Sequence, residues 1–258
     1  MKWPNTLAIV RHGESGYNGL GPLKAADVEY QEFRDLFDTG ADPQRALELA
    51  TSIYESGRFQ LPYGDHDTPL TNEGRRQSLV VGGRLRELIP LPDIVYVSPY
   101  DRTRQTHEGL TMGWPELAGV PVVSEERIRE QDHGLALLYN DRRIFMTLHP
   151  EQKALYQKEG QYWYRYPQGE NIPDVRDRHR SVLDLLIREH SGMNVLMVAH
   201  HISLLSQVAN LGRMDAEGFL RLNREQRPIN CGLTVFKGDP EQGKDGKLVL
   251  DVYNRKLY

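Results

Sequence analysis

The stretch LAIVRHGESGYN, residues 7–18, joins a short apolar run to a group of polar side chains. Four consecutive apolar residues are typical of a buried strand, and Arg11 and His12 follow this strand directly. Gly13 then allows the backbone to pass close to a ligand, because glycine has no Cβ. Two basic side chains at the end of a buried strand indicate a local positive pocket.

Strand and helix patterns alternate along most of the chain. The predicted strands are 7–10, 93–98, 120–124, 194–200, 233–237 and 248–254. Four helices are predicted. The first has Thr71 as its N-cap, and the second has Ser98 as its N-cap with Pro99 at the first helical position. The other two span 174–190 and 202–212. This order predicts an α/β fold, a three-layer α/β/α sandwich with a mostly parallel central sheet and helices on both faces.

Two regions, 19–66 and 135–172, fit this alternation poorly. We expect them to be insertions over the sheet, the first of them partly helical around 41–57. No Ser-, Gly- or Pro-rich linker interrupts the middle of the chain, so residues 1–258 are predicted to form a single domain.

Composition limits the classes of function. The net charge of −4 and the pI of about 6.2 argue against a nucleic-acid partner, but a small anionic ligand needs only a local positive pocket. Cys231 is the only cysteine, which agrees with a reducing compartment, and we expect a cytoplasmic protein. No signal peptide and no membrane-spanning run is predicted, hence no membrane partner. The sequence does not indicate an oligomeric state.

Chemically active residues recur where the predicted strands end. In parallel sheets these ends meet at one edge, where ligands bind. The set combines a nucleophile, cationic groups for phosphoryl oxygens and a proton donor, which is the inventory of phosphoryl transfer. Its members are Arg11, His12, Ser98 with Arg102, Glu130 and His200.

Six blocks of sequence resemble the histidine phosphatase superfamily, the phosphoglycerate-mutase-like proteins, in the order typical of that family. The blocks are RHGESGYN (11–18), DTPLTNEGRRQ (67–77), SPYDRTRQT (98–106), REQDHG (129–134), YPQGEN (166–171) and VAHH (198–201). RHG alone would be weak evidence, but six ordered blocks cover nearly the whole chain.

The resemblance implies a role for each matching residue. His12 would be the nucleophile that becomes a phosphohistidine, and Glu130 would protonate the leaving oxygen. The phosphoryl group would be held by Arg11, Arg102 and His200. The resemblance also implies that Asn18 and the backbone at Gly13 help to bind phosphate. Ser15 and His201 are further candidates for substrate binding.

The residue types suit this chemistry. His12 must be neutral to attack, and two nearby arginines disfavour an extra positive charge on it. Arginine stays charged and matches phosphate oxygens with a fork of donors. We therefore expect neither a metal nor a cofactor, because the side chains supply the positive charge.

Several alternatives remain open at this point. Asp132 competes with Glu130 as the acid, and Arg104 competes with Arg102 as the clamp. His201 stands where many family members have glycine, so it either adds a polar group at the pocket rim or faces away. Asn171 stands where a serine or threonine is common. His179 lies on an apolar helical stripe and is expected to pack in the core.

The expected activity is that of a phosphatase acting on a small phosphorylated substrate. A phosphoglycerate-type mutase is the second possibility, but the paired arginines with following prolines that are usual in mutases are missing. Arg142 and Arg143 form a pair in different surroundings. A non-catalytic protein that binds a phospholigand is a third possibility. The sequence does not identify the substrate.

Overall fold

The computed structural model describes residues 2–258, which form six β-strands and ten α-helices. The strands are β1 (Thr6–Arg11), β2 (Ile94–Val97), β3 (Val122–Ser124), β4 (Asn194–Ala199), β5 (Leu233–Asp239) and β6 (Lys247–Arg255). The helices are α1 (Gly16–Ala26), α2 (Val28–Thr39), α3 (Pro43–Glu55), α4 (Asn72–Leu85), α5 (Asp101–Gly113), α6 (Arg142–Leu148), α7 (Pro150–Trp163), α8 (Ile172–Glu189), α9 (His201–Leu211) and α10 (Ala216–Glu225). Three 3-10 turns cover Pro115–Gly119, Glu126–Ile128 and Gly134–Tyr139.

The strands form one sheet in the order β3-β2-β4-β1-β5-β6. Its first four strands are parallel, whereas β5 runs antiparallel to β1 and β6 antiparallel to β5. The predicted mostly parallel sheet is therefore confirmed. The reversal at β5 matters for the site, because it starts a returning strand where β1 ends.

Both faces of the sheet are covered, as the alternation of side chains along β1 requires. Leu7 and Ile9 pack with apolar residues of α8 and α9 on one face. Ala8 and Val10 pack with residues of α4 and α5 on the other face. These three layers confirm the predicted α/β/α sandwich.

Of the two predicted helix N-caps, Thr71 and Ser98, the structure confirms the first and not the second. Thr71 is the N-cap of α4, and its side-chain oxygen accepts a hydrogen bond from the backbone N–H of Gly74 at 3.0 Å. Ser98 does not cap α5, which begins at Asp101 after Tyr100. The Ser98 hydroxyl is instead hydrogen-bonded to the ring of His200, as described below.

The chain divides into two compact units. The first contains the described residues up to Ser15, together with His66–Gln131 and Ile172–Tyr258, and it holds the whole sheet with α4, α5, α8, α9 and α10. The second contains Gly16–Asp65 and Asp132–Asn171. These segments fall close to the two predicted insertions, and the assignment of the chain as one domain stays a prediction.

The second unit has its own core, built on α1, α2, α3, α6 and α7. Phe33, Leu49 and Ile53 are buried in it. A partly buried ion pair joins Lys24 Nζ to Asp141 Oδ2 at 2.7 Å. The first insertion is thus helical well beyond the predicted 41–57.

None of the helices within residues 2–258 combines the length and the apolar character that crossing a membrane requires.

Candidate active site

Two histidines lie side by side at the carboxyl ends of β1 and β4. These strands are parallel neighbours with Arg11 opposite Ala199, so the next residue of each strand, His12 and His200, emerges at the same edge. Their ring centroids are 5.2 Å apart in an edge-to-face arrangement. The structure therefore brings these two residues together at one edge of the sheet, as predicted.

His12 is neutral and has a defined tautomer. Its Nδ1 lies 2.7 Å from the carbonyl oxygen of Gly13. Because a carbonyl can only accept, Nδ1 carries the proton and Nε2 keeps its lone pair. Burial, followed by the charges of Arg11 and Arg102, holds the pKa of His12 well below its usual range. The ring thus presents an unprotonated Nε2, as a nucleophile must.

His200 is fixed through both ring nitrogens. Nε of Arg102 donates to Nδ1 at 3.3 Å, so Nε2 bears the proton and donates to the Ser98 hydroxyl at 2.7 Å. Burial and the charge of Arg102 hold the pKa of His200 well below its usual range. The imidazole is therefore neutral, with a donor at Nε2.

Arg102, and not Arg104, lies among these residues. Arg102 is 4% exposed, and its guanidinium also lies over the ring of Tyr100, 4.7 Å from the ring centroid. The side chain of Arg104 is 57% exposed and pairs with Asp101 at the start of α5. The geometry favours Arg102 as the clamp.

Arg11 is buried beside the histidines and has an unsatisfied donor. Its Nη1 donates to the carbonyl oxygen of Pro228 at 2.7 Å, whereas Nε is buried with no hydrogen-bond partner among residues 2–258. Burial lowers the pKa of Arg11 to about 10, with Glu130 opposing the change. The guanidinium is still charged at neutral pH, and an N–H without an acceptor is available.

Glu130 is held at the start of α9, next to His200. Its carboxylate accepts hydrogen bonds from the backbone N–H groups of His201 and Ile202, each at 3.0 Å. Asp132, the alternative acid, belongs to the second unit, where its Oδ1 accepts from the backbone N–H of Gly134 at 2.7 Å. The arrangement favours Glu130 as the acid.

The turn after His12 is packed against α4 and α5. The Gly13 N–H, expected to contact phosphate, donates to the Thr106 hydroxyl at 2.9 Å. A Cβ on Gly13 would lie 2.6 Å from the carbonyl oxygen of Gly74. Glycine is therefore required here by the close approach of α4. The Asn230 side chain donates to the carbonyl oxygens of His12 and Gly13 at 3.1 Å each.

The remaining predicted binding residues are placed differently. Ser15 is buried and forms an isolated antiparallel bridge with Leu70. Asn18 lies on α1, in the second unit. The His201 ring is hydrogen-bonded to Asn223 Oδ1 at 2.8 Å, and the His201 backbone N–H donates to Glu130.

Two contacts are missed at the sequence level. Ser98 reads as a helix cap, although a serine at a strand end beside a histidine strand is also suited to hydrogen-bond that histidine. Asn230 carries no local signal, because it reaches the His12 turn only through the antiparallel return of β5. His179, expected in the core, is buried, and its ring bonds to Gln207 and Ser203. No cluster of three or more histidine, cysteine, aspartate or glutamate side chains suited to a metal ion occurs within residues 2–258.

Two sequence comparisons relate this chain to known proteins. The model of the histidine phosphatase superfamily, branch 1, matches residues 53–248. A phosphoglycerate mutase-like protein of Arabidopsis thaliana, AT74H, is 31% identical over 210 residues, covering 74% of this chain and 70% of that protein.

Two solved structures share the fold. A mycobacterial glucosyl-3-phosphoglycerate phosphatase in complex with VO3 has a TM-score of 0.62 at 20% identity, covering 97% of this chain and 99% of that one. The α-ribazole phosphatase of Shigella flexneri has a TM-score of 0.65 at 20% identity, covering 98% and 97%. The family model spans three quarters of the chain and includes Arg102, Glu130 and His200, so the protein belongs to the histidine phosphatase superfamily.

Proposed function

We propose that this protein is a metal-independent phosphatase that hydrolyses a phosphomonoester through a phosphohistidine on His12. One observation carries the proposal: His12 is buried and neutral beside two arginines, and its Nδ1–H is bonded to the Gly13 carbonyl, which leaves the Nε2 lone pair free to attack. A protein that only binds phosphate would not need a neutral imidazole together with a carboxyl group.

In the first step Nε2 of His12 attacks phosphorus and the bond to the leaving oxygen breaks. Arg11 and Arg102 hold phosphoryl oxygens, and His200 joins them when its Nε2–H exchanges the Ser98 hydroxyl for an oxygen of the phosphoryl group. The buried Arg11 Nε, which has no acceptor among residues 2–258, gains one when phosphate binds. Protonated Glu130 gives its proton to the leaving oxygen as that oxygen departs.

In the second step Glu130 works in the opposite direction. Its carboxylate takes a proton from water while the water oxygen attacks phosphorus. The bond to His12 Nε2 breaks, and inorganic phosphate leaves with a neutral histidine restored. The charge on the phosphoryl oxygens is stabilised throughout by the arginines and not by a metal. The proposal includes a small phosphorylated substrate and a cytoplasmic location.

The test is turnover of p-nitrophenyl phosphate in the presence of a chelator. Wild-type protein should hydrolyse it, and His12→Ala should lose at least about a thousandfold in kcat because the covalent route is gone. Trapping during turnover should label His12 with acid-labile, base-stable phosphate.

His190→Gln is the matched control. Like His12, His190 is buried, and its ring is hydrogen-bonded to the Tyr96 hydroxyl at 2.6 Å. It precedes β4, however, and so lies at the opposite end of that strand from His200. It should keep nearly full activity. Label on a serine, or normal turnover by a folded His12→Ala, would contradict the mechanism.

A mutase is the second candidate, favoured by the naming of the Arabidopsis relative. A mutase passes the phosphoryl group to a hydroxyl of a second substrate, whereas a phosphatase passes it to water. Phosphoglycerate can be supplied, and inorganic phosphate and the isomerised phosphoglycerate can be measured in the same reaction. Isomerisation faster than phosphate release would favour the mutase.

A further inference from the structure

The backbone of the segment that ends at Glu130, residues 127–130, is held by hydrogen bonds at every residue. It leaves the 3-10 turn Glu126–Ile128 and runs extended from Arg129. The carbonyl oxygens of four consecutive residues, 127–130, each accept a hydrogen bond from a side chain of α8 or α9. A loop held at four successive peptide groups has little freedom to shift.

One residue of α8 makes three of these four bonds. Nη1 of Arg178 donates to the carbonyl oxygens of Arg127 at 2.7 Å and Arg129 at 2.8 Å, and its Nη2 donates to that of Glu130 at 2.9 Å. The fourth carbonyl, that of Ile128, accepts from the Ser203 hydroxyl at 2.9 Å. The guanidinium reaches three carbonyls from one side chain because its donors form a rigid, planar fork.

The side chain of Glu130 is anchored to α9. Its carboxylate lies on the first two backbone N–H groups of α9, those of His201 and Ile202. Arg178 thus fixes the main chain of the acid, while α9 fixes the carboxylate and also begins directly after His200. The position of the acid relative to His200 is set by these contacts.

We propose that Arg178 is a positioning residue for Glu130, whose contacts keep the carboxyl group in line with the leaving oxygen. This inference rests on the proposed function, since it requires Glu130 to act as the acid. Misplacement of a catalytic group by about 1 Å can cost roughly a hundredfold in rate. Loss of Arg178 should therefore weaken proton donation while leaving the nucleophile and the phosphate clamp in place.

Leaving-group dependence separates positioning from a structural role. Nitrophenolate departs with little protonation, whereas the alkoxide of glycerol phosphate needs the acid. The readout is kcat/KM, which reports only the first step, in which the leaving group departs. Arg178→Ala should lower kcat/KM for glycerol phosphate by about tenfold to a hundredfold, and that for p-nitrophenyl phosphate by less than about threefold. Arg178→Lys keeps the charge but not the fork and should fall between the wild type and Arg178→Ala.

Arg176→Ala is the matched control, because Arg176 is also on α8 and also binds a carbonyl group, that of Ala209, and the side chain of Asn210. It should reduce stability without changing the ratio of the two activities. If Arg178→Ala does not fold, Ser203→Ala tests the same ratio through the fourth carbonyl. An unchanged ratio in every folded variant would overturn the inference.

Glu130→Gln and the double variant Glu130→Gln/Arg178→Ala distinguish failure of the positioning role from failure of the proposed function. If Glu130→Gln itself lacks the leaving-group effect, the acid assignment fails. If it shows the effect, adding Arg178→Ala to Glu130→Gln should cost little further activity on glycerol phosphate, because the two residues act through one proton transfer. Full additivity would mean that Arg178 acts elsewhere and would reject the positioning role.

Discussion

Arg102 and Arg104 lie in the same turn of α5, but their side chains have different surroundings. Residues two apart on a helix point about 200° apart. One side chain is buried against His200, and the other lies in solvent beside Asp101. The choice between them, open in the sequence, follows from this rotation.

Arg102→Ala should lower kcat/KM by roughly a hundred- to a thousandfold, because in the proposed mechanism the lost donors contact oxygens whose charge changes in the transition state. Arg102→Lys should recover only part of the loss, since the fork is missing. Arg104→Ala is the matched control and should be nearly silent. Steady-state kinetics on the three variants, with circular dichroism as the folding check, measure this. A severe loss in Arg104→Ala alone would reverse the assignment.

The convergence of His12 and His200 with Arg11 and Arg102 can be predicted because strand ends of a parallel sheet meet at one edge. Arg178 cannot be predicted as a partner of Glu130. Its acceptors are main-chain carbonyls, which every residue has, so no sequence pattern marks them. Ser98 is assigned to the wrong partner for a similar reason, because a serine before a helix suits a cap equally well.

At the level of elements, α4 and α5 pack through glycine contacts. A Cβ on Gly82 would lie 2.3 Å from the carbonyl oxygen of Leu110, and one on Gly113 would lie 2.2 Å from that of Leu79. A Cβ on Gly83, the next residue of α4, would have its nearest neighbour at 3.7 Å, the carbonyl oxygen of Gly113. Adjacent glycines of one helix thus face very different surroundings.

Gly82→Ala should therefore destabilise the protein by about 1–3 kcal/mol, as overpacking does. Gly83→Ala should stabilise it by about 0.5–1 kcal/mol, because alanine favours a helix and there is room for the methyl group. Urea unfolding followed by circular dichroism compares the two. Equal effects of the two substitutions would be inconsistent with the close contact between α4 and α5.

The elements that are least predictable from the sequence are those of the second unit. The sequence does not predict its helices α1 and α2, and it places α3 only approximately. A strand is recognised by a short apolar run, but α1 contains three glycines and Pro22, and α2 is mostly polar. Tertiary contacts such as the pair between Lys24 and Asp141 help to hold these helices, and such contacts lie far apart in sequence.

At the scale of the whole molecule, two buried neutral histidines link folding to pH. The pKa values of His12 and His200 are well below 6.5 in the folded protein, chiefly through burial, and return to about 6.5 on unfolding. Below pH 6.5 the unfolded chain thus binds more protons than the folded one, so stability falls as the pH falls. Each histidine contributes a slope of up to about 1.4 kcal/mol per pH unit.

The free energy of unfolding should accordingly decline between pH 6.5 and 5. His12→Asn and His200→Asn should each flatten this decline, whatever they do to stability at pH 7. Urea titrations at several pH values measure the slopes. A slope unchanged in both variants would show that other groups govern the acid response.

The pairing of β1 has a consequence for the time at which the site appears. This strand is synthesised well before its partners, because it pairs with residues 194–199 and 233–237. The carbonyl groups of Arg11 and His12 also accept from the backbone N–H of Cys231. At synthesis rates of about 5–20 residues per second, β1 waits for tens of seconds without its neighbours. Pairings so distant in sequence also close slowly. His12 and His200 can therefore come together in the sheet only after the partner strands of β1, residues 194–199 and 233–237, have been synthesised. Recovery of activity during refolding should report the closing of the sheet around β1.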